Sequence, residues 1–336
     1  MTDEVRVGVI GAGSLGMRHC RTLAQLTPAA HLVAVADVNE RAARDAASLS
    51  PGAKATSDYR SLLDDPSIQA IVIVTPNDTH ARVVAEAAEA KKDIFCEKPL
   101  GLELSTVDAA LAAVARHGVK LQLGFQRRFD RAYREVQRAI AAGEVGEIEL
   151  VVGTARDPAP PPASYLERSG SIFADLAIHD FDSVRFLTGL EVDEVFAWGA
   201  GALSDGSEEV ALDTAVTSLR LENGALATVT SSRRSDYGYD VRVELSGSKG
   251  MLALGDARRS PIKSYTGAGV SHDFVGSYWE LFEEAYVAEL QHFVECVAND
   301  EEPQVTGADG RRALEIALAA ERSVNEGRSV SLVRDS

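Results

Sequence analysis

The stretch Val5-Arg6-Val7-Gly8-Val9-Ile10-Gly11-Ala12-Gly13-Ser14-Leu15-Gly16 decides how the rest of the chain is read. Val5 to Ile10 is a mostly apolar run, the pattern of a strand buried on both faces. Gly11-x-Gly13-x-x-Gly16 follows at once and opens a helical stretch from about Met17 to Leu26. The next strand, Leu32 to Ala36, ends at Asp37, about 20 residues beyond the last glycine. In this arrangement the first glycine makes a tight turn, the second leaves room for a pyrophosphate, and the third lets helix and strand pack closely. The helix N-terminus then offers its backbone N–H groups to phosphate oxygens. The expectation is a dinucleotide held by Gly11, Ala12, Gly13, Ser14, Leu15 and Gly16.

Asp37 chooses between dinucleotides. Its carboxylate accepts the two hydroxyls of an adenosine ribose and repels a 2′-phosphate. Val38 and Asn39 bring no cation to offset that repulsion, so NAD is favoured over NADP. A turn or helix-cap role for Asp37 is the alternative.

Beyond Asp37 the same rhythm continues. Glu40 to Leu49 and Tyr59 to Leu63 read as helices, Ala70 to Val74 as a strand, and Thr79 to Ala90 as a helix. Asp93 to Cys96 is a strand running into Glu97-Lys98-Pro99, followed by a helix from Leu104 to Arg116 and a strand from Val119 to Gly124. Strands alternating with helices predict a doubly wound parallel α/β sheet over residues 1–124, a Rossmann domain.

From 125 to 336 the pattern predicts an α+β domain with an open, mainly antiparallel sheet. Its strands are Ile148 to Arg156, Val195 to Ala202, Asp213 to Glu222, Ala225 to Ser232 and Val241 to Ser246. Asn223-Gly224 between two of them is a hairpin signal, because both residues tolerate positive φ. Helices are expected at Arg131 to Ala142, Ile172 to Leu187, Glu280 to Asn299 and Gly310 to Asn325. The proline-rich run from Asp157 to Pro162 is a loop.

The bulk numbers narrow the function. The chain has 336 residues and a formal net charge of −17. That charge repels nucleic acid and anionic membranes, and no basic patch with interleaved aromatics offsets it. Met1 to Arg6 lacks the basic and apolar regions of a signal peptide, and the apolar runs are strand length, so a cytoplasmic protein is expected. Three cysteines, Cys20, Cys96 and Cys296, fit reduced thiols rather than a disulfide framework. His292 and Cys296 stand four apart on a helix, but with no second pair ordinary packing is preferred to a metal, and none is expected.

Two further places carry chemistry. Asp175 and His179 lie four apart on a helix and so share a face. Oxidising a secondary alcohol needs a base for the hydroxyl proton, and a histidine titrating near neutrality suits it. Asp175 then orients that imidazole or binds a neighbouring hydroxyl. Lys98 follows a parallel strand at its carboxyl end, where such sheets place ligands, and its ammonium is able to polarise the reacting oxygen. A surface ion pair for Asp175/His179 and a solvated loop lysine are the competing readings. A metal at His179-Asp180-Phe181-Asp182 is rejected, since those side chains point around the helix.

The motif Glu97-Lys98-Pro99 at this distance after the glycine loop resembles the glucose-fructose oxidoreductase / inositol dehydrogenase (Gfo/Idh/MocA) family. The segment from Ser169 to Asp182, Tyr237-Gly238-Tyr239-Asp240, Gly247-Ser248-Lys249-Gly250 and Arg156-Asp157-Pro158 are similar to inositol 2-dehydrogenases in particular. The resemblance spans essentially the whole chain. It implies NAD-dependent oxidation of a cyclic polyol, an inositol to its inosose, with Lys98, Asp175 and His179 as catalytic residues. It implies substrate contacts from Lys98, Arg127, Asp157, Asp175, His179 and Tyr237 or Tyr239. Strand packing for the tyrosines and a surface ion pair for Arg127 or Arg128 stand as alternatives.

On the cofactor side the expected set is Gly11 to Gly16, Asp37, Val38, Thr75, Asn77, His80, Glu97 and Lys98. Asn77 or Thr79 as a plain helix cap is the other reading. Ser171, Ala174 and Leu281-Phe282 depart from the inositol dehydrogenase pattern, which leaves a related pyranose as an alternative substrate. An NAD-dependent glycosidase and a non-catalytic NAD-binding sensor complete the alternatives; intact Lys98, Asp175 and His179 argue against the sensor. An open sheet with one bare face implies a homo-oligomer, and family habit a tetramer.

Overall fold

The computed structural model describes residues 4–201, 212–255, 258–260 and 262–332. The expectations for Met1 to Asp3 and for a strand end at Ala202 lie outside those residues.

The first half is built in strict alternation. β1 (Val5–Ile10), α1 (Ser14–Gln25), β2 (Ala30–Ala36), α2 (Glu40–Ala47), β3 (Lys54–Thr56) and α3 (Arg60–Leu63) come first. β4 (Ala70–Ile73), α4 (His80–Glu89), β5 (Asp93–Glu97), α5 (Leu104–His117) and β6 (Leu121–Gly124) follow. The six strands are parallel in the order β3-β2-β1-β4-β5-β6. The winding reverses between β1 and β4, and a doubly wound sheet opens its ligand crevice beside that point. Val7, Val9, Val72 and Phe95 are fully buried, as strands covered on both faces demand. The short edge strand β3, largely exposed, was not legible in the sequence.

The second sheet uses a different grammar. α6 (Arg131–Ala141), β7 (Ile148–Arg156), α7 (Ala163–Ser169) and α8 (Ile178–Thr188) lead into β8 (Val192–Ala200), β9 (Thr214–Leu221), β10 (Leu226–Ser232), β11 (Asp240–Gly247) and β12 (Gly250–Leu254). A small hairpin of β13 (Lys263–Thr266) and β14 (Gly269–His272), the helices α9 (Tyr278–Asn299) and α10 (Gly307–Glu326), and β15 (Val330–Ser331) complete the chain. The sheet order is β12-β11-β7-β10-β9-β8-β15. Only β7 and β10 run parallel within it; the other neighbours are antiparallel. The Asn223-Gly224 turn joins β9 to β10 as expected: Gly224 has φ +89°, and Asn223 Oδ1 accepts from the Ala225 N–H at 2.9 Å. Helix α8 covers one face, packing on β7 and β10.

The chain divides into two units, one running to Phe129 and including Glu284–Leu314, the other comprising Asp130–Glu283 and the residues from Glu315. The sequence division, 1–124 and 125–336, therefore needs amending. The reason is apolar burial: Leu290, Phe293 and Val294 of α9 join the core formed by Val7, Val9, Val72 and Phe95. Phe293 packs on Phe95 with ring centroids 5.9 Å apart. The boundary falls inside α9, just past Phe282, whose φ of −118° and ψ of 17° interrupt the helix. Among the described residues no helix is long and apolar enough to cross a membrane.

Candidate active site

In the first unit the glycine loop has the geometry its spacing implies. A Cβ on Gly11, whose φ is +101°, would strike the carbonyl of Val74, and one on Gly16 would strike the carbonyl of Gly11. A Cβ on Gly13 would meet nothing within 4 Å. Two glycines are therefore required by packing, while the third leaves space above the N-terminus of α1, the cradle a pyrophosphate fits.

Asp37 closes the loop from the end of β2. Its Oδ2 accepts from the Ala12 N–H at 2.6 Å and its Oδ1 from the Asn39 N–H at 2.8 Å. The turn role thus takes up two of the carboxylate's about four lone-pair positions and leaves two open. Val38 beside it is 93 % exposed, an apolar side chain left in solvent at the rim.

The loop after β4 is ordered from within. Thr79 Oγ1 hydrogen-bonds Thr75 Oγ1 and the Pro76 carbonyl, both at 2.7 Å, and Thr79, at the N-cap of α4, makes no side-chain cap bond. Asn77 is buried at the start of a 3₁₀ turn. The His80 ring lies 2.7 Å from both the Thr75 and the Pro99 carbonyls, bridging this loop to the Lys98-Pro99 turn, where the peptide bond is cis. Burial pushes its pKa down, against the pull of those carbonyls. His80 thus braces two loops.

Lys98 follows β5 directly and is partly buried. Glu97, expected to contact the cofactor, is instead turned into the core: it is 5 % exposed, and its Oε1 lies 2.7 Å from His19 Nε2. The position of a strand-end residue is legible from sequence, but its inward orientation depends on a histidine one helix away. Of the two arginines in the 3₁₀ turn after β6, Arg128 pairs with Asp309 at 2.8 Å, and Arg127 is buried.

The second unit presents the other residues. Asp157 follows β7, its N–H bonded to the Ser232 carbonyl. Asp175 lies within a single π-helical turn, Phe173–Ala177, that feeds α8, and His179 sits at the start of that helix. Such a turn is often found at functional sites. Both side chains are more than nine-tenths buried, which removes the surface-pair reading. Asp175 is engaged on both oxygens: Tyr165 Oη donates to Oδ1 at 2.8 Å, and Arg233 Nη1 to Oδ2 at 2.9 Å. Burial and the Asp175 charge raise the Tyr165 pKa, so its hydroxyl stays a donor.

Sequence reasoning missed Tyr165 and Arg233. An arginine just past a strand looks solvated until its acid partner is known. Tyr239 is buried, whereas Tyr237 is half-exposed and donates to Asp240 Oδ2 at 2.6 Å, the carboxylate that Arg242 also grips.

A parallel sheet with a glycine cradle and a strand-end aspartate defines a dinucleotide-binding oxidoreductase. Residues 5–125 match the family described as oxidoreductase family, NAD-binding Rossmann fold, and residues 133–253 match the GFO/IDH/MocA C-terminal domain. The chain is 40% identical to the inositol 2-dehydrogenase of Rhizobium meliloti, covering 98% of this chain and 99% of that protein. It is 38% identical to the myo-inositol 2-dehydrogenase of Thermotoga maritima, covering 98% of each. The crystal structure of scyllo-inositol dehydrogenase from Lactobacillus casei, with bound NAD(H) and scyllo-inositol, superposes with a TM-score of 0.92 at 29% identity, over 98% of this chain and 99% of that one. The chain belongs to the GFO/IDH/MocA family of NAD-dependent oxidoreductases.

Proposed function

We propose that this protein oxidises a ring CH–OH of an inositol to the corresponding inosose, using NAD. The observation that carries the reading is the burial of Asp175 in the π turn and of His179 at the start of α8 that it feeds, in a chain alike over its whole length to inositol 2-dehydrogenases. NAD supplies the hydride acceptor. Gly13 and the first turn of α1 bind its pyrophosphate, and Asp37 its adenosine ribose. His179 takes the hydroxyl proton, and Lys98 stabilises the charge growing on the reacting oxygen. Asp175, fixed by Arg233 and Tyr165, orients the ring through a neighbouring hydroxyl, and Arg127, Asp157, Tyr237 and Tyr239 contribute to substrate binding. Thr75 and Asn77 lie on the cofactor side.

The second unit is also the surface for self-association. The strand registers put Leu150, Leu226, Trp198 and Met251 on one face of the second sheet, and all four are well exposed. An apolar sheet face of this kind is covered by another copy in a homo-oligomer, here a tetramer working in the cytoplasm. Light scattering that gives a monomer would overturn that assembly.

The function is tested by following NADH absorbance against inositol stereoisomers and aldoses, with NAD and NADP in parallel. Reduction of NAD by at least one inositol is expected. Turnover of aldoses alone would transfer the reading to a sugar dehydrogenase, and silence with every polyol would remove it.

A further inference from the structure

Helix α9 brings into the first unit a carboxyl group that the proposed reaction does not use. Glu289 has no solvent exposure, and no hydrogen-bond donor among the described residues reaches either of its carboxyl oxygens. It faces Glu97 of β5 and His19 of α1, with one polar atom from each of the three lying within 4.8 Å of the others. The site is built on every side. The His19 ring packs edge-on against Phe95 at 5.7 Å and at a tilt against Tyr286 at 6.0 Å. Gly124 of β6 stands so close to Glu97 that a Cβ there would lie 2.9 Å from its Oε2. The Gln122 amide donates to the Glu289 carbonyl at 2.7 Å and fixes α9 over the strands.

The cluster has to hold either a metal ion or a proton, because two carboxylates cannot share a dry site without one. A metal bound at about 2.0–2.2 Å in tetrahedral geometry would hold its nitrogen and oxygen ligands about 3.3 Å apart. His19 Nε2 and Glu97 Oε1 are 2.7 Å apart, a hydrogen-bond spacing. A metal-bound histidine also donates its second N–H to an acceptor, and His19 Nδ1 has none. That bare Nδ1 indicates a neutral imidazole that donates from Nε2, since an imidazolium would strand a donor. No positive charge within the cluster then balances the two carboxyl groups.

We propose that Glu289 is held as the neutral acid with its proton directed at the Glu97 carboxylate. This makes Glu289 and His19 positioning residues for the strand end that carries Lys98. Burial first, and the Glu97 charge second, push the Glu289 pKa well above the usual carboxyl range. Among the described residues, the titratable groups facing Glu289 are Glu97 from β5 and His19 from α1, and β6 brings the neutral Gln122. The trapped proton does not depend on the function proposed above, whereas its service to Lys98 rests on that reading.

The sign of the pH effect follows from linkage. Unfolded Glu289 ionises near pH 4.3 and the folded group far higher, so its contribution is complete at low pH and fades as pH rises. Within that window the unfolding constant of the wild type, relative to Glu289→Gln, rises about tenfold per pH unit. Infrared spectra at neutral pH should show a protonated-carboxyl band that Glu289→Gln lacks.

Glu289→Gln, which keeps a donor, should retain kcat. Glu289→Met, which fills the space without one, should lower kcat about 10- to 100-fold at unchanged NAD affinity. Absence of the band, equal pH slopes, or a stoichiometric metal in the wild type that the Gln variant lacks would overturn the proton. An intact band with wild-type turnover in Glu289→Met would overturn the positioning role alone, and an inactive wild type with the band present would count against the proposed function only.

Discussion

Arg233 Nη1 stands 2.9 Å from Asp175 Oδ2, with both side chains almost wholly removed from water. The pair joins the end of β10 to the π turn before α8, so the carboxylate proposed to face substrate is held by a charge from another segment. Breaking such a pair from one side leaves a buried ion without a partner. Arg233→Met is expected to cost about 3 kcal/mol in denaturant unfolding and to raise the substrate KM. An unchanged midpoint and KM would show the pair to be idle.

His179 is expected to matter to the chemistry and not to the cofactor. His179→Ala should lower kcat by about 10²–10⁴ while the NAD dissociation constant moves less than about twofold. Near-normal turnover would remove His179 from the mechanism.

The glycines of the loop separate by what surrounds them. Gly16→Ala drives a methyl into the Gly11 carbonyl and should destabilise the fold by about 1–3 kcal/mol. Gly13, at φ −65° and ψ −168°, lies in a backbone region open to alanine, and nothing occupies the space beside it. Gly13→Ala should therefore leave stability within about 0.5 kcal/mol and weaken NAD binding about tenfold. Calorimetry and a cofactor titration on both variants decide the matter.

Asp37 is expected to discriminate between NAD and NADP by charge. Asp37→Ser with Val38→Arg should shift the ratio of kcat/KM for NAD over NADP at least about tenfold toward NADP. The absolute NAD affinity should fall as well, since the Ala12 N–H loses its acceptor. A ratio that does not move would remove Asp37 as the selector.

The three cysteines are all buried, and burial pushes the Cys20 thiol up to about 12. Thiolate is the reactive form, so at pH 8 the native protein should resist alkylation and label on all three sites once denatured. Fast labelling of the native form would contradict the packing around α1.

What was legible from the sequence was local. Gly11, Gly13, Gly16 and Asp37 lie within a single βαβ stretch, and the spacing that exposes them is the spacing that places them. Asp175 and His179 were readable because four residues is one helical turn. Arg233, Tyr165 and Glu289 were not, since each takes its meaning from a partner brought in by tertiary folding. Glu97 shows the same limit at a single residue: its place in the motif was evident, while its direction was set by His19. The apolar stripe of α9 announced a buried helix without saying which core would receive it, and the small β13–β14 hairpin carried no periodicity strong enough to stand out.

The return of Leu290, Phe293 and Val294 to the first core has a temporal consequence. Residues up to Phe129 leave the ribosome long before α9 exists, so the nucleotide-binding half waits with part of Phe95 and its neighbours uncovered. A nascent chain of this kind completes its first domain only when synthesis is nearly over, and in the interval it presents an apolar surface that invites chaperones.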